Sequence, residues 1–393
     1  MFWLCMLPGI LLAIGAAVWL GYLYLALRLW RDVPRLARLS PGAPARWPKV
    51  SVIVPARDEA RDVEAALRSK LAVDYPSLEL VVVDDRSTDA TGAIVDALAR
   101  EDARVVPLHV TELPEGWLGK LHAMERGIQA SSGEILLLSD ADVHLAPGAL
   151  RKVVAWAEQE SLDHVAALPR VTSRDFVLQA IFQAAMRIVL VAFRPWAVRD
   201  PASTASAGIG AFNLVRRGAY DRTPGLSWIK LEVADDAALG QMLKLSGARC
   251  AIVNAGDDVS LRFYRTLGET ARQIEKAVGV GGRRPWAAAL ASVLGWSAEM
   301  VPFALLAWPP APLRLAAAAV CALAIADALL LAAWARLPLR SAWPVPLGST
   351  LLAALSLRAA VLAAWRGGIV WRGTFYSRAS LAAGARYRIW PRR

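Results

Sequence analysis

The first 27 residues contain no Asp, Glu, Lys or Arg. A run of that kind restricts the backbone more than any other part of the chain. In hydrocarbon every peptide group needs an internal partner, so such a segment is helical or belongs to a closed barrel. Twenty-five helical residues reach about 38 Å, enough for a hydrocarbon core of about 30 Å. The n-region lacks positive charge and the apolar run is longer than a signal peptide requires, so the segment is read as a retained anchor rather than a cleaved leader. Arg28, Arg31, Arg35, Arg38, Arg46 and Lys49 follow it directly and predict that this side faces the cytoplasm.

A second block, 285–365, is also apolar. It divides into Pro285–Pro309 and Leu315–Ala335, both expected to span, with Glu299 and Asp327 turned toward other helices. The third part, Ser341–Trp365, is broken at its start by Pro344, Pro346 and Gly348 and interrupted by Arg358. It is read as re-entrant or interfacial, which leaves the arginine-rich tail in the cytoplasm. The expected organisation is therefore an anchor (1–30), a basic linker (31–48), a globular domain (49–260), an amphipathic interfacial segment (261–284), a membrane region (285–365) and a basic tail (366–393). The net charge of +11 comes with no basic-aromatic module or zinc spacing, so nucleic acid is not an expected partner. Cys5, Cys250 and Cys321 are scattered and suggest neither a disulfide framework nor a metal site. Nothing in the sequence fixes an oligomeric state.

Between the apolar blocks, strand-like and helix-like runs alternate. VSVIVP (50–55), ELVVVDD (79–85), RVVPLHV (104–110) and EILLLSD (134–140) read as strands. Glu59–Lys70, a segment from Thr88, Leu118–Ser131 and Pro147–Glu160 read as helices. Strands hydrophobic on both faces, alternating with helices, predict an α/β fold with a mostly parallel sheet covered by helices. Ligands of such sheets bind beyond the carboxyl ends of the strands, where this chain places Asp58 and Glu59, Asp84 and Asp85, and Asp140 and Asp142. If the extended geometry persists past Leu138, Asp140 and Asp142 project to one side, where a cation would relieve their repulsion. His144 is a possible further ligand, against the ordinary reading of a surface histidine. The helix at 176–193 is too polar at Gln179, Gln183 and Arg187 to span comfortably; it lies at the membrane surface, packs under the active site or is an ordinary core helix.

Five signals occur in order: PARDEA (55–60), VVVDDRSTD (81–89), DAD (140–142), ADDAAL (234–239) and RFYRT (262–266). With LPEGWLGKLHAMERG (113–127) and WRGTFY (371–376), the chain resembles the membrane-bound family 2 glycosyltransferases. The closest likeness is to the lipid-glycosylating branch, which includes ceramide glucosyltransferase-like, hopanoid-associated and carotenoid-associated enzymes. The resemblance implies a GT-A fold (a nucleotide-diphospho-sugar transferase, Rossmann-like domain) with N- and C-terminal transmembrane helices. It also implies a nucleotide-sugar donor, in particular a UDP-sugar, and a membrane lipid acceptor: a hopanoid, a carotenoid or other terpenoid, a ceramide or a glycerolipid. The expected location is a bacterial inner membrane, with the catalytic domain in the cytoplasm.

By the same resemblance, Pro55, Arg57 and Glu59 line the nucleotide, and Asp85 accepts from the uracil N–H. Asp84 either joins it or caps the turn. Asp58 replaces the more usual asparagine, which leaves its role open. Asp142 is the direct ligand of Mg²⁺ or Mn²⁺, hard cations commonly held by one or two carboxylates and substrate phosphates, while Asp140 contacts the sugar, ribose or metal. Lys120, Arg262 and Arg265 suit the diphosphate. A Walker-loop reading of GWLGK fails because the required earlier glycine is absent and Leu121 replaces Ser/Thr. Asp236 is the expected base, supported by Asp235, and one base without a second nucleophile implies inversion. The alternative for this acidic pair is a helix N-terminus stabilised by the dipole. Thr266 stands where processive synthases carry tryptophan, which weighs against a short polysaccharide synthase. The intact acidic and basic set weighs against a non-catalytic binding protein.

Overall fold

The computed structural model describes residues 2–173, 175–262, 265–280, 285–309, 311–371 and 374–389. Phe263 and Tyr264 of RFYRT, and Arg372 and Gly373 of WRGTFY, lie outside them. A long helix, α1 (Phe2–Asp32), precedes the alternating segment. That segment runs β1 (Val50–Ala56), α2 (Val63–Leu71), β2 (Leu78–Asp85), α3 (Thr91–Glu101), β3 (Val105–Val110), α4 (Gly119–Ala130), β4 (Ile135–Leu138), β5 (His144–Leu145), α5 (Ala149–Gln159) and β6 (His164–Val171). There follow α6 (Phe176–Phe193), β7 (Asn213–Arg216), α7 (Arg217–Tyr220), α8 (Asp235–Leu245), β8 (Cys250–Leu261) and α9 (Leu267–Val280). The chain then forms α10 (Pro285–Leu305), α11 (Ala311–Trp334), α12 (Val345–Arg366), β9 (Gly368–Trp371), β10 (Thr374–Ser377) and α13 (Arg378–Gly384).

Two compact units emerge. One contains residues 33–172, 193–262 and 383–393. Its sheet has the order β3-β2-β1-β4-β7-β6-β8-β5. β1 to β4 pair in parallel, β7 runs antiparallel to both β4 and β6, and β8 runs parallel to β6. The central strands are apolar on both faces because both faces are covered: Val50, Val52, Ile53 and Val54 of β1 and Leu80 to Val83 of β2 are wholly buried. The linker expected at 31–48 docks on this unit from Val33 onward. Asn254 donates its backbone N–H to Pro34 O (2.9 Å), Leu36 is buried, and Tyr75 donates its hydroxyl to Pro48 O (2.7 Å).

β4 is shorter than its sequence suggests. It pairs with β1 only from Val50↔Ile135 to Ile53↔Leu138, and the Ser139 hydroxyl turns to Ala211 O (2.9 Å). Asp140 and Asp142 therefore leave the strand and enter a turn, so strand alternation is not what relates them.

The second unit contains residues 1–32, 173–192 and 263–382. Among the described residues, four helices are long and apolar enough to cross a membrane: Met6–Asp32, Phe176–Ala197, Ala311–Trp334 and Val345–Arg366; Ala289–Leu305 forms a shorter apolar run. Pro344 and Pro346 do not break α12, because Pro346 sits in its first turn, where a missing N–H costs nothing. In α6 the three polar residues share one side. Gln179, Gln183 and Arg187 are spaced four apart, fall on one stripe and are buried, while Ile188, Val189 and Val191 are exposed on the outer side.

The inward stripe meets the acids of the other helices. Arg187 donates to Ser349 Oγ (2.9 Å), and its guanidinium lies 3.6 Å from Glu299 and 3.8 Å from Asp327. It also stacks over the Trp19 and Tyr22 rings, at 5.1 and 5.8 Å. Gln183 donates to Ser341 Oγ (2.7 Å). At Gly348 a Cβ would fall 2.3 Å from Ala180 O, so the absence of a side chain permits close approach of α6 and α12. Glu299 and Asp327 thus face other helices.

Breaking a buried charge group by removing one partner is far more costly than replacing all of it. Arg187→Met should lower stability by about 3–5 kcal/mol. The triple change Arg187→Met, Glu299→Gln, Asp327→Asn should recover most of the loss when thermal unfolding is followed in detergent.

Candidate active site

The β1–α2 and β2–α3 loops, at the carboxyl ends of their strands, are laced together by side chains. Asp58 adopts φ 53°, a left-handed conformation that Asp tolerates better than most residues. Its Oδ1 accepts from Thr88 N (2.7 Å) and Thr88 Oγ1 (3.1 Å), and its own N–H donates to Ser87 Oγ (3.0 Å). Glu59 N–H donates to Thr91 Oγ1 (2.8 Å), and Ala60 N–H to Asp89 Oδ2 (3.0 Å). The role left open for Asp58 is therefore structural. Pro55 lies within β1, one residue before its end at Ala56, and Arg57 lies beside Asp58, with Nε 3.9 Å from its carboxylate.

Adjacent strand residues point to opposite faces, and this separates the two aspartates of β2. Asp85 is held by Arg86, with Nε to Oδ1 at 2.7 Å and a terminal nitrogen to Oδ2 at 3.1 Å. Asp84 turns the other way, accepts from Ser87 N (3.3 Å) and contacts His109 Nδ1 (3.2 Å). That is the turn-capping arrangement.

Lys120, in the first turn of α4, forms the centre of a charged cluster. Its ammonium lies 2.9 Å from Asp140 Oδ1, 2.8 Å from Asp235 Oδ2 and 3.5 Å from Asp236 Oδ1. One cation thus joins the end of β4 to the start of α8. Burial alone would lower the Lys120 pKa; the three carboxylates reverse that and hold it well above the ordinary lysine value. The 207–210 loop closes another side. At Gly210 a Cβ would fall 2.6 Å from Asp140 Oδ2 and 2.7 Å from Asp236 Oδ2, so only a bare backbone fits between these carboxylates. The loop is fixed by Asn213, whose Oδ1 accepts from Ile209 N (3.0 Å) and lies 3.2 Å from Nε2 of buried His164. Burial pushes His164 down to about 4, leaving a neutral ring for this contact. Of the α8 pair, Asp235 is 3% exposed and Asp236 is 29% exposed at the side chain, so Asp236 is the accessible one.

A second buried lysine lies under the Asp140–Val143 turn and was not singled out from sequence. Lys70, at the end of α2, is wholly buried and donates to Asp140 O (3.2 Å) and Val143 O. Its burial pushes the ammonium down to about 7, against the pull of Asp142 and Asp140. A signal did exist: Val63, Ala66, Leu67 and Lys70 form one buried stripe, so the lysine occupies a core-facing position of an amphipathic helix. Asp142 is driven the other way. Burial, then the charges of Asp140 and Glu59, push it up to about 6. His144 pairs with Ser260 in the sheet. Arg262 stands exposed one residue past β8, and Arg265 falls in the other compact unit, where its N–H donates to Glu269 (2.8 Å).

Among the described residues no group of three or more His, Cys, Asp or Glu side chains forms a ready-made metal cage. The donor set nevertheless suits a hard divalent cation bound together with substrate oxygens. Asp142 carries poorly compensated negative charge beside Asp140, and Asp140 is partly exposed.

The fold is of the GT-A type. A solved structure that shares it is a mannosyltransferase from Pyrobaculum calidifontis in complex with GDP-Man and Mn²⁺, 23% identical, covering 92% of this chain and 99% of that one, with a TM-score of 0.57. Residues 51–223 match the profile described as Glycosyl transferase family 2, and the chain carries a domain of that family. Curated relatives include a probable glycosyltransferase of Bacillus subtilis, 35% identical over 97 residues (24% of this chain, 23% of that protein). Another is the beta-monoglucosyldiacylglycerol synthase of a Nostoc species, 27% identical over 204 residues (50% of this chain, 42% of that protein). The chain thus spans less than half the length of either relative.

A carboxyl whose folded pKa is raised stabilises the protein below its unfolded pKa, and that contribution disappears as pH rises through the folded value. With Asp142 near 6, metal-free protein should lose stability between about pH 4 and pH 7. Asp142→Asn should be more stable than wild type by about 1–3 kcal/mol at pH 7, with the difference vanishing near pH 4. Melting temperatures recorded in chelator across that range check this.

Proposed function

We propose that this chain is an inverting glycosyltransferase that moves a sugar from a nucleotide diphosphate donor, in particular a UDP-sugar, to a hydroxyl of a membrane lipid. The observation that carries the reading is the Lys120 cluster, which gathers Asp140, Asp235 and Asp236 where β4 and α8 meet. The lipid acceptor is supported by the apolar helices and by the likeness of 50% of this chain to a beta-monoglucosyldiacylglycerol synthase. The proposed setting is a bacterial inner membrane with the catalytic unit in the cytoplasm.

Asp236 acts as the base. It is the accessible carboxylate of the pair, open to an acceptor hydroxyl. It takes the proton of the acceptor hydroxyl while that oxygen forms a bond to the anomeric carbon. The bond from that carbon to the diphosphate breaks on the opposite face, and its electron pair leaves with the nucleotide diphosphate. Configuration at the anomeric carbon is inverted. Asp235 holds Lys120, which stabilises the anionic form of Asp236 and offers positive charge to the diphosphate; Arg262 adds to that charge. Pro55, Arg57, Glu59 and Asp85 line the nucleotide, with the Asp85 carboxylate accepting from the base, and Asp84 supports the turn that carries them. Asp142 and Asp140 hold Mg²⁺ or Mn²⁺, which when bound neutralises charge on the leaving diphosphate.

Asp236→Asn should lower kcat by about 10²–10⁴-fold with donor binding retained. Product analysis with UDP-sugars and lipid acceptors checks this, and unchanged transfer would rule out the assigned base. Chelation of divalent metal should abolish turnover, and restoration by Mg²⁺ or Mn²⁺ should recover it.

A further inference from the structure

The Asp140–Val143 turn is tied at its start by Asp140 N–H to Gly210 O (2.9 Å), but its internal bond, Val143 N–H to Asp140 O, is long at 3.4 Å. Two consecutive residues at the end of α2 hold it from the other side. Lys70 sends its ammonium to the carbonyls of Asp140 (3.2 Å) and Val143, on either side of Asp142. Ser69 Oγ accepts from Leu145 N (3.2 Å) while its hydroxyl donates to Ala66 O (2.7 Å). A buried ammonium is costly unless its donors are used, and it is an unusual choice where methionine would fill similar volume. The use visible here is to grip both ends of the Asp142 turn.

We propose that Lys70 is a positioning residue for the divalent metal: it fixes the backbone that carries Asp142, so that the carboxylate is preorganised for the cation. The inference rests on the proposed metal role of Asp142 and extends it to a residue that touches neither metal nor substrate. α2 also begins directly after the Arg57–Glu59 loop proposed to line the nucleotide. One short helix therefore ties the nucleotide loop to the metal turn, and Lys70 is the tie at its far end.

The test is Mn²⁺ binding by the full-length protein in detergent with UDP present, read from the loss of the free-ion electron paramagnetic resonance signal. Lys70→Met should weaken Mn²⁺ binding by about 10–100-fold, the usual range for a group that orients a ligand. Its metal-free melting temperature should stay at or above that of wild type, because a buried cation has been replaced by an apolar side chain. Ser69→Ala, a milder change that leaves the core intact, should weaken binding by a smaller factor and in the same direction. Wild-type Mn²⁺ affinity in folded Lys70→Met overturns the proposal. Should that variant not fold, wild-type affinity in Ser69→Ala overturns it. Failure of the wild-type protein itself to bind Mn²⁺ with UDP instead overturns the metal reading of Asp142.

Discussion

One ammonium among three carboxylates holds the catalytic unit's site together. Asp140 follows β4, Asp235 and Asp236 begin α8, and Lys120 begins α4, so the cluster joins segments from Lys120 to Asp236 in the chain. Without a cation at that point, three acids would repel across a partly buried space. With it, the repulsion becomes the constraint that sets their spacing. Gly210 and the Asn213–His164 pair then shape the remaining wall. The lysine expected to meet a diphosphate is already engaged in the protein's own charge balance, so an incoming anion competes with carboxylates for it.

Much of this was legible in the sequence, for a physical reason. Strands covered on both faces must be apolar throughout, so β1, β2 and β4 announced themselves, and polar residues at their ends stood out. ADDAAL was likewise visible as an acidic helix start. What stayed hidden depends on tertiary partners. Nothing in the alternation of residues says that β4 stops at Leu138, where the Ser139 hydroxyl turns to the distant carbonyl of Ala211. Lys70 was overlooked because lysine near a helix end is usually solvated, although its place in the buried stripe of α2 gave the clue.

The same lesson applies to the apolar unit. The three polar residues of α6 are evident in the sequence, and their spacing of four gathers them on one line. The helix keeps these polar groups against its neighbours and exposes Ile188, Val189 and Val191. Position on the helix, rather than number, decides what a polar residue costs.

The C-terminal residues carry a further consequence. Glu232 accepts from the backbone of Arg386 (2.7 Å) and Tyr387 (2.9 Å), and Gln241 exchanges bonds with Arg388. Residues 386–388 of the basic tail therefore belong to the same compact unit as the sheet. A segment that reads in the sequence as loose positive charge gives its peptide groups to a buried glutamate and a buried glutamine, so the bonds that hold it do not depend on the arginine side chains.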